Sequence, residues 1–244
     1  SAEDRRVARD TLLYQENSLK AYIGFLLGLR DRELLDRKRR EEQKLRAAVD
    51  SNPALQREFG AVWDEVAAAY KQYQSFWKRY LLLEALNISG SEMFPIARHV
   101  LRLAAEKLQP NEQRLREYRD SNLPSVEQEM YSPAPLHDAL EIAVLAEYLR
   151  LLQRELGASD PVVVTLLDGK TPDQAARFYV TTSKLKEVAA RKNPAPDDGM
   201  LLLARRLDGP AREVRKLYED QVESVVNSSA GKIAQARFRI SGAG

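Results

Sequence analysis

An all-α fold, a multi-helix bundle with one long central helix, is what the sequence predicts, and three observations carry it. Apolar residues recur at spacings of three, four and seven along most of the chain. The glycines and prolines, 11 of each in 244 residues, fall mostly between the periodic segments. Strand signals are nearly absent. Val162-Val163-Val164 is the one run of three valines, and it follows Pro161 at an expected helix start. Phe238-Arg239-Ile240 reads as a strand beginning near the chain end.

The first helix is expected over Glu3–Arg30. Leu12, Leu19, Ile23 and Leu26 share one face of it. Asn17, Lys20, Gly24 and Gly28 share another, roughly a third of a turn away. A glycine inside a helix costs about 1 kcal/mol against alanine. Two of them one turn apart predict a close approach by another backbone. The second helix, Arg32–Val49, turns Leu34, Leu35, Leu45 and Val49 inward and keeps Arg37, Lys38, Arg40 and Glu41 solvated. Asn52-Pro53 ends it and starts the next. The third helix, Pro53–Asn87, is the longest and would reach about 50 Å. Its residues Phe59, Trp63, Val66, Tyr70, Tyr73, Trp77 and Tyr80 alternate steps of four and three, a coiled-coil-like seam of aromatics expected in the core.

Ser89-Gly90-Ser91 breaks that helix, and shorter ones follow. Pro95–Leu108 points Ile96, Val100, Leu103 and Ala104 inward. Pro110 opens another that ends near Ser121, and Asp120 to Pro124 reads as a turn. Pro133 and Pro135 precede an apolar helix, Leu136–Leu156, closed by Gly157. Asp160-Pro161, Asp168-Gly169 and Thr171-Pro172 punctuate the next stretch. Thr171 with Asp173 and Gln174 resembles a helix start. Residues 192–199 are the most loop-like, and a final helix runs from Pro210 to Arg237.

Composition narrows the chemistry. At 44% hydrophobic and 30% charged, the chain suits amphipathic helices with solvated outer faces. With 38 basic against 36 acidic residues, the formal net charge of +2 argues for neither a nucleic-acid nor an anionic-membrane partner. No apolar run reaches about 18 residues, so no membrane span is expected. The absence of cysteine excludes disulfides, thiol nucleophiles and thiolate metal sites.

His99 and His137 are the two candidates for a general base or metal ligand. A hydrolytic triad also needs a presented nucleophile, and no Gly-x-Ser-x-Gly or Gly-Asn-Ser-Gly turn occurs. Both histidines therefore read as surface or cap residues. Glu112, Glu117, Glu127, Glu129, Glu141 and Glu147 put carboxylates on helices, but neither histidine has the Glu-x-x-His partner of a di-metal bundle. Asp168-Gly169-Lys170-Thr171 looks like a phosphate loop only superficially, because Val164 stands where the leading glycine should be. Arg37–Arg40 and Arg205-Arg206 read as solvated faces. No catalytic residue, metal ligand or cofactor is expected within the chain.

Several segments, in order, resemble one family. They are Glu16-Asn17-Ser18-Leu19-Lys20-Ala21 with Gly24 and Gly28-Leu29, then Phe59-Gly60-Ala61-Val62-Trp63-Asp64-Glu65-Val66 and Ile96-Ala97-Arg98. Pro110 to Tyr118, Leu167 to Pro172 and Lys184-Leu185 continue the series, and Ala211 to Glu219 and Lys232 to Phe238 close it. Together they are similar to the bacterial dipeptidyl peptidases of serine peptidase family 46, of the dipeptidyl-peptidase 7 and dipeptidyl-peptidase 11 type.

The resemblance implies a helical domain inserted in a chymotrypsin-like double β-barrel, covering the active-site cleft. It implies a catalytic His and Asp before the insert and a Ser in a Gly-Asn-Ser-Gly-Ser turn after it, none of which lies in this chain. Residues 1–240 would be a single substrate-covering domain, with 241–244 a chain end inside a longer protein. The parent would remove dipeptides from the free N-terminus of oligopeptides, and this piece alone would be inactive. By the same resemblance Asn17 hydrogen-bonds the substrate α-amino group. An amide oxygen accepts from a buried ammonium, whose burial is otherwise costly, without adding a charge. The implied partners are the oligopeptide and the catalytic barrel of the same parent, and the implied compartment is the bacterial periplasm or cell envelope. Side-chain preference and oligomeric state, a homodimer through the barrels included, stay open. The rival reading is a non-enzymatic helical interaction or scaffold domain whose seam from Phe59 to Tyr80 packs on a partner helix.

Overall fold

A computed structural model describes residues 2–86 and 88–242. Asn87, the expected end of the third helix, lies outside the described residues, as do residues 1, 243 and 244. The fold is all-α, with no strand among the described residues. Its helices are α1 Ala2–Leu29, α2 Arg32–Asp50, α3 Pro53–Phe59, α4 Val62–Tyr80, α5 Met93–Glu106 and α6 Leu123–Met130. The second half adds α7 Asp138–Leu156, α8 Pro161–Leu167, α9 Pro172–Thr181, α10 Val188–Lys192, α11 Gly199–Tyr218 and α12 Ser224–Ser241. The chain divides into two compact units. One holds Lys78–Arg215 with the chain's first residues up to Asp4, and the other Arg5–Trp77 with the stretch from Lys216 onward.

In the unit built on Arg5–Trp77, local hydrogen bonds set the helix starts. The Asp31 carboxylate accepts from the Leu34 N–H at the head of α2, and the Asn52 amide oxygen accepts from the N–H groups of Ala54 and Leu55 at the head of α3. The core joins Val49, Phe59, Val62 and Ala236, with Leu55, Trp63 and Ile233 packed against it. Arg46 lies 5.2 Å from the centre of the Trp63 ring and Arg239 5.3 Å from that of Phe59.

The expected helix over 53–87 is not continuous. It breaks at Gly60 and resumes as α4, then passes into a π turn over Leu81–Ala85. At Gly60 a Cβ would stand 2.6 Å from the Gln56 carbonyl oxygen, so the chain there accepts only glycine without moving. The break shifts the phase of the seam. Val62 and Ala69 are buried and Val66 and Tyr73 half-buried, whereas Tyr70 and Trp77 stay 50% and 40% exposed. Tyr73 packs edge-on to Phe76 and against Tyr218. The expected strand at Phe238–Ile240 is instead the last turn of α12, which ends at Gly242 with φ +68°.

In the unit built on Lys78–Arg215, α7 packs along α9. Leu145, Leu149 and Leu152 of α7 and Ala175, Ala176 and Tyr179 of α9 are all buried. Gly157, with φ +97°, ends α7 as expected. Thr171 and Gln174 bond each other's backbone N–H groups in a capping box at the head of α9.

Several expectations differ in this unit. Pro110 opens no helix. Residues 111–113 and 116–118 form two 3-10 turns, because side chains take the backbone groups a helix would use. The Asn111 amide oxygen accepts from the Asp120 N–H, and the Glu106 carboxylate from the Leu115 N–H. The expected turn through Pro124 carries α6 onward from Leu123. Pro210 lies inside α11 and does not begin a helix. Its ring removes one backbone hydrogen bond, but Leu203, Leu207, Ala211 and Val214 form one buried stripe across it. On α5, Ala104 faces out and Arg102 faces in.

Candidate functional site

The sequence-derived site residue, Asn17, stands in the middle of α1. Its side chain is exposed and makes no hydrogen bond to any described residue. Lys20 and Glu16 pair at 2.8 Å beside it, and the Ser18 hydroxyl donates to the Tyr14 carbonyl. Asn17, Ala21, Gly24 and Gly28 follow at steps of four, three and four, so they share one face. A Cβ built on Gly24 or Gly28 meets nothing within 4 Å. The close backbone approach expected of these glycines is not made within the described chain.

The rest of α1 differs from its expectation as well. Leu12, Leu19 and Ile23 do not point into a core, and Leu26 is only half-buried. Nine large apolar side chains from Leu12 to Leu29 are 45–70% exposed. They leave free of large apolar groups only the face that carries Asn17 and the glycines. A helix that is apolar over most of its circumference belongs in an interior, and an exposed apolar surface of this extent marks a contact.

What the sequence missed is an ionic cluster in the unit built on Lys78–Arg215. Arg102, 1% exposed, donates two hydrogen bonds to the Glu84 carboxylate at 3.0 and 2.8 Å and one to Asp208 at 2.5 Å. Arg98 also pairs with Glu84. Arg215 reaches Glu84 at 3.2 Å and holds Glu117 through two bonds of 2.6 and 3.0 Å. Arg212 joins Asp208 at 2.7 Å to Glu106 at 2.8 Å. Burial pushes the Glu84 carboxyl up, but the hydrogen bond from Arg102 and the charges of Arg98, Arg102 and Arg215 hold it below the usual value. Glu117 and Asp208 behave alike: burial raises them, and Arg215 and Arg102 respectively lead the effects that bring them below normal. The spacing carried no signal for it, because Arg102 falls outside the face of Ile96, Val100, Leu103 and Ala104 expected inward.

His99 adjoins this cluster. Its Nδ1 lies 3.0 Å from the Tyr118 hydroxyl and its Nε2 3.4 Å from Glu129. Burial lowers its pKa, and Glu129 opposes that only in part. His137 is the residue before α7 but makes no side-chain cap hydrogen bond, and His99 is tied to Tyr118 and Glu129 of other elements, so neither is the capping residue expected. Asp168 and Gly169 take left-handed backbone at the end of α8, and Arg206 binds Asp168 at 3.1 Å; the stretch is a turn. Among the described residues no three His, Cys, Asp or Glu side chains come together as metal ligands, and no helix is long and apolar enough to cross a membrane.

The arrangement therefore offers an amide on a bare helix face and a self-paired ionic core. No curated protein sequence matches the chain. A family model does: Peptidase S46 matches residues 1–244, the full length. The motifs from Glu16 to Phe238 and this match agree, and the chain belongs to the peptidase S46 family, a family of peptide-bond hydrolases.

Proposed function

We propose that this chain is the helical, substrate-covering part of a serine dipeptidyl aminopeptidase. In this reading the Asn17 amide oxygen accepts a hydrogen bond from the α-ammonium group of an oligopeptide. Anchoring that group at a set distance from the catalytic serine makes the enzyme release dipeptides. The serine, histidine and aspartate belong to the barrel of the parent polypeptide, where histidine activates serine to attack the second peptide bond. Asn17 orients the substrate and takes no proton. Closure of the helices over the cleft excludes water and longer N-terminal extensions. A periplasmic or cell-envelope location is part of the same proposal, as is a homodimeric parent.

One observation carries the reading. α1 is apolar over most of its circumference yet exposed, and the face it leaves bare of large groups holds Asn17, Gly24 and Gly28. That suits a helix laid against another body with a ligand between them. The test is hydrolysis of dipeptidyl-naphthylamides by the full-length parent and by this chain. Activity in the parent, none in this chain, and a KM raised about tenfold or more by Asn17→Ala with folding intact are expected, as for loss of a hydrogen bond to a charged group. Wild-type kinetics in the variant would remove Asn17 from the site. Inactivity of the parent on acidic and hydrophobic dipeptides alike would favour an interaction module.

A further inference from the structure

The unit built on Lys78–Arg215 carries an open groove of about 320 Å³. It lies between the start of α5, helix α6 and the extended stretch that follows α6. Buried Arg191 fixes that stretch by donating to the carbonyls of Met130 at 3.1 Å and Ser132 at 2.7 Å. Ile96 and Leu136 give the groove apolar surface, and Ser125 and Gln128 give it neutral polar groups. Its two charged lining residues are Glu92 and Glu129, and no basic side chain lines it.

The start of α5 would ordinarily favour an anion. Here it is already occupied from within. The buried Glu141 carboxylate accepts from the N–H groups of Glu92 at 2.7 Å and Met93 at 3.3 Å, and from the Ser91 hydroxyl at 2.6 Å. Ser91 in turn accepts from the Phe94 N–H. What faces the groove is negative. Glu129 is held from behind by His99 Nε2, whose other nitrogen is engaged by Tyr118. Glu92 pairs with no cation among the described residues.

From the cavity, its apolar wall and the two carboxylates of its lining, we propose that this groove binds an aliphatic primary ammonium group. The stem would lie on Ile96 and Leu136, and the charge would sit at Glu92 and Glu129. The volume is at the small end for ligand sites, which run from about 300 Å³ upward. It therefore admits one amine-bearing chain and not a folded partner. A lysine side chain, a peptide amino terminus and a free alkyl diamine share this chemistry. The assignment is independent of the peptidase reading, and none of the lining belongs to the unit that carries Asn17.

The test is titration of the full chain, followed by methyl NMR of Ile96 and Leu136, with three amines. Cadaverine stands for a free diamine, N-acetyl-lysine amide for a side chain and leucinamide for an amino terminus. N-acetyl-norleucine amide is the neutral control. Saturable shifts with at least one amine and none with the control are expected, and the amine that binds identifies the source. Glu92→Gln and Glu129→Gln should each weaken binding about fivefold, as for a partly exposed ion pair, and added salt should weaken it further. Both variants keep side-chain shape, and far-UV circular dichroism verifies their fold. Absence of saturation with all three amines, equal response to the neutral control, or affinity unchanged in both variants overturns the assignment.

Discussion

Replacing Arg102 by methionine removes the most deeply buried charge of the ionic cluster while filling similar space. The guanidinium makes three hydrogen bonds, two to Glu84 and one to Asp208. Its loss leaves a carboxylate at Glu84 that is only 7% exposed. Stranding one partner of a buried pair costs about 3–5 kcal/mol. The low end applies here, because Glu84 keeps Arg98 and Arg215 and Asp208 keeps Arg212. A loss of about 3 kcal/mol corresponds to a fall in Tm of about 6–12 °C for a chain of this size. Scanning calorimetry of Arg102→Met and of Arg102→Met with Glu84→Gln reads it directly. The double variant should recover part of the loss, since the stranded charge is gone. A Tm unchanged by the single variant refutes the reasoning, and so does a double variant no more stable than the single one.

Other outcomes follow from the same coordinates. Glu84, Glu117 and Asp208 have folded pKa values held below their ordinary 4.5, 4.5 and 3.8. Their contribution is present above those values and is lost as pH falls through the depressed ones, so Tm should drop below about pH 4.5 and Glu84→Gln should flatten that slope. Glu141, raised by burial, acts in the opposite sense. Gly199→Ala puts a Cβ 2.6 Å from the Tyr179 carbonyl oxygen and should cost about 1–3 kcal/mol in chemical denaturation; a neutral result would mean that the head of α11 yields easily. Thr171→Ala breaks the capping box and should cost about 1 kcal/mol; full retention of stability would make the box incidental.

What could be read from the sequence was local. The Thr171–Gln174 box, the Asn52 cap and Gly157 are fixed by residues within a few positions of each other, and each appears where expected. The all-α class follows from periodicity, which burial of one helix face imposes on every turn. The failures share a cause in tertiary structure. The spacing from Phe59 to Tyr80 continues smoothly through Gly60, so it gives no sign of the break that turns Tyr70 outward. Pro210 looks like a start because the rule for proline is local, and a buried stripe overrides it. Glu84 and Asp208 lie 18 and 106 positions from Arg102, beyond any helical period. Asn17 was named through family motifs. Its bare surroundings became visible only in the coordinates, since periodicity assumes that an apolar face finds a core within its own chain.

The ionic cluster brings four arginines and four carboxylates into mutual contact. Their charges cancel, which constrains how such a sequence can drift. A lineage that loses one member strands its opposite, and recovery needs a second substitution at a position far away in the chain. Change at these eight sites should therefore arrive in pairs of opposite sign. Where Arg102 is replaced by an apolar residue in another member of the family, Glu84 or Asp208 should be neutral in the same protein.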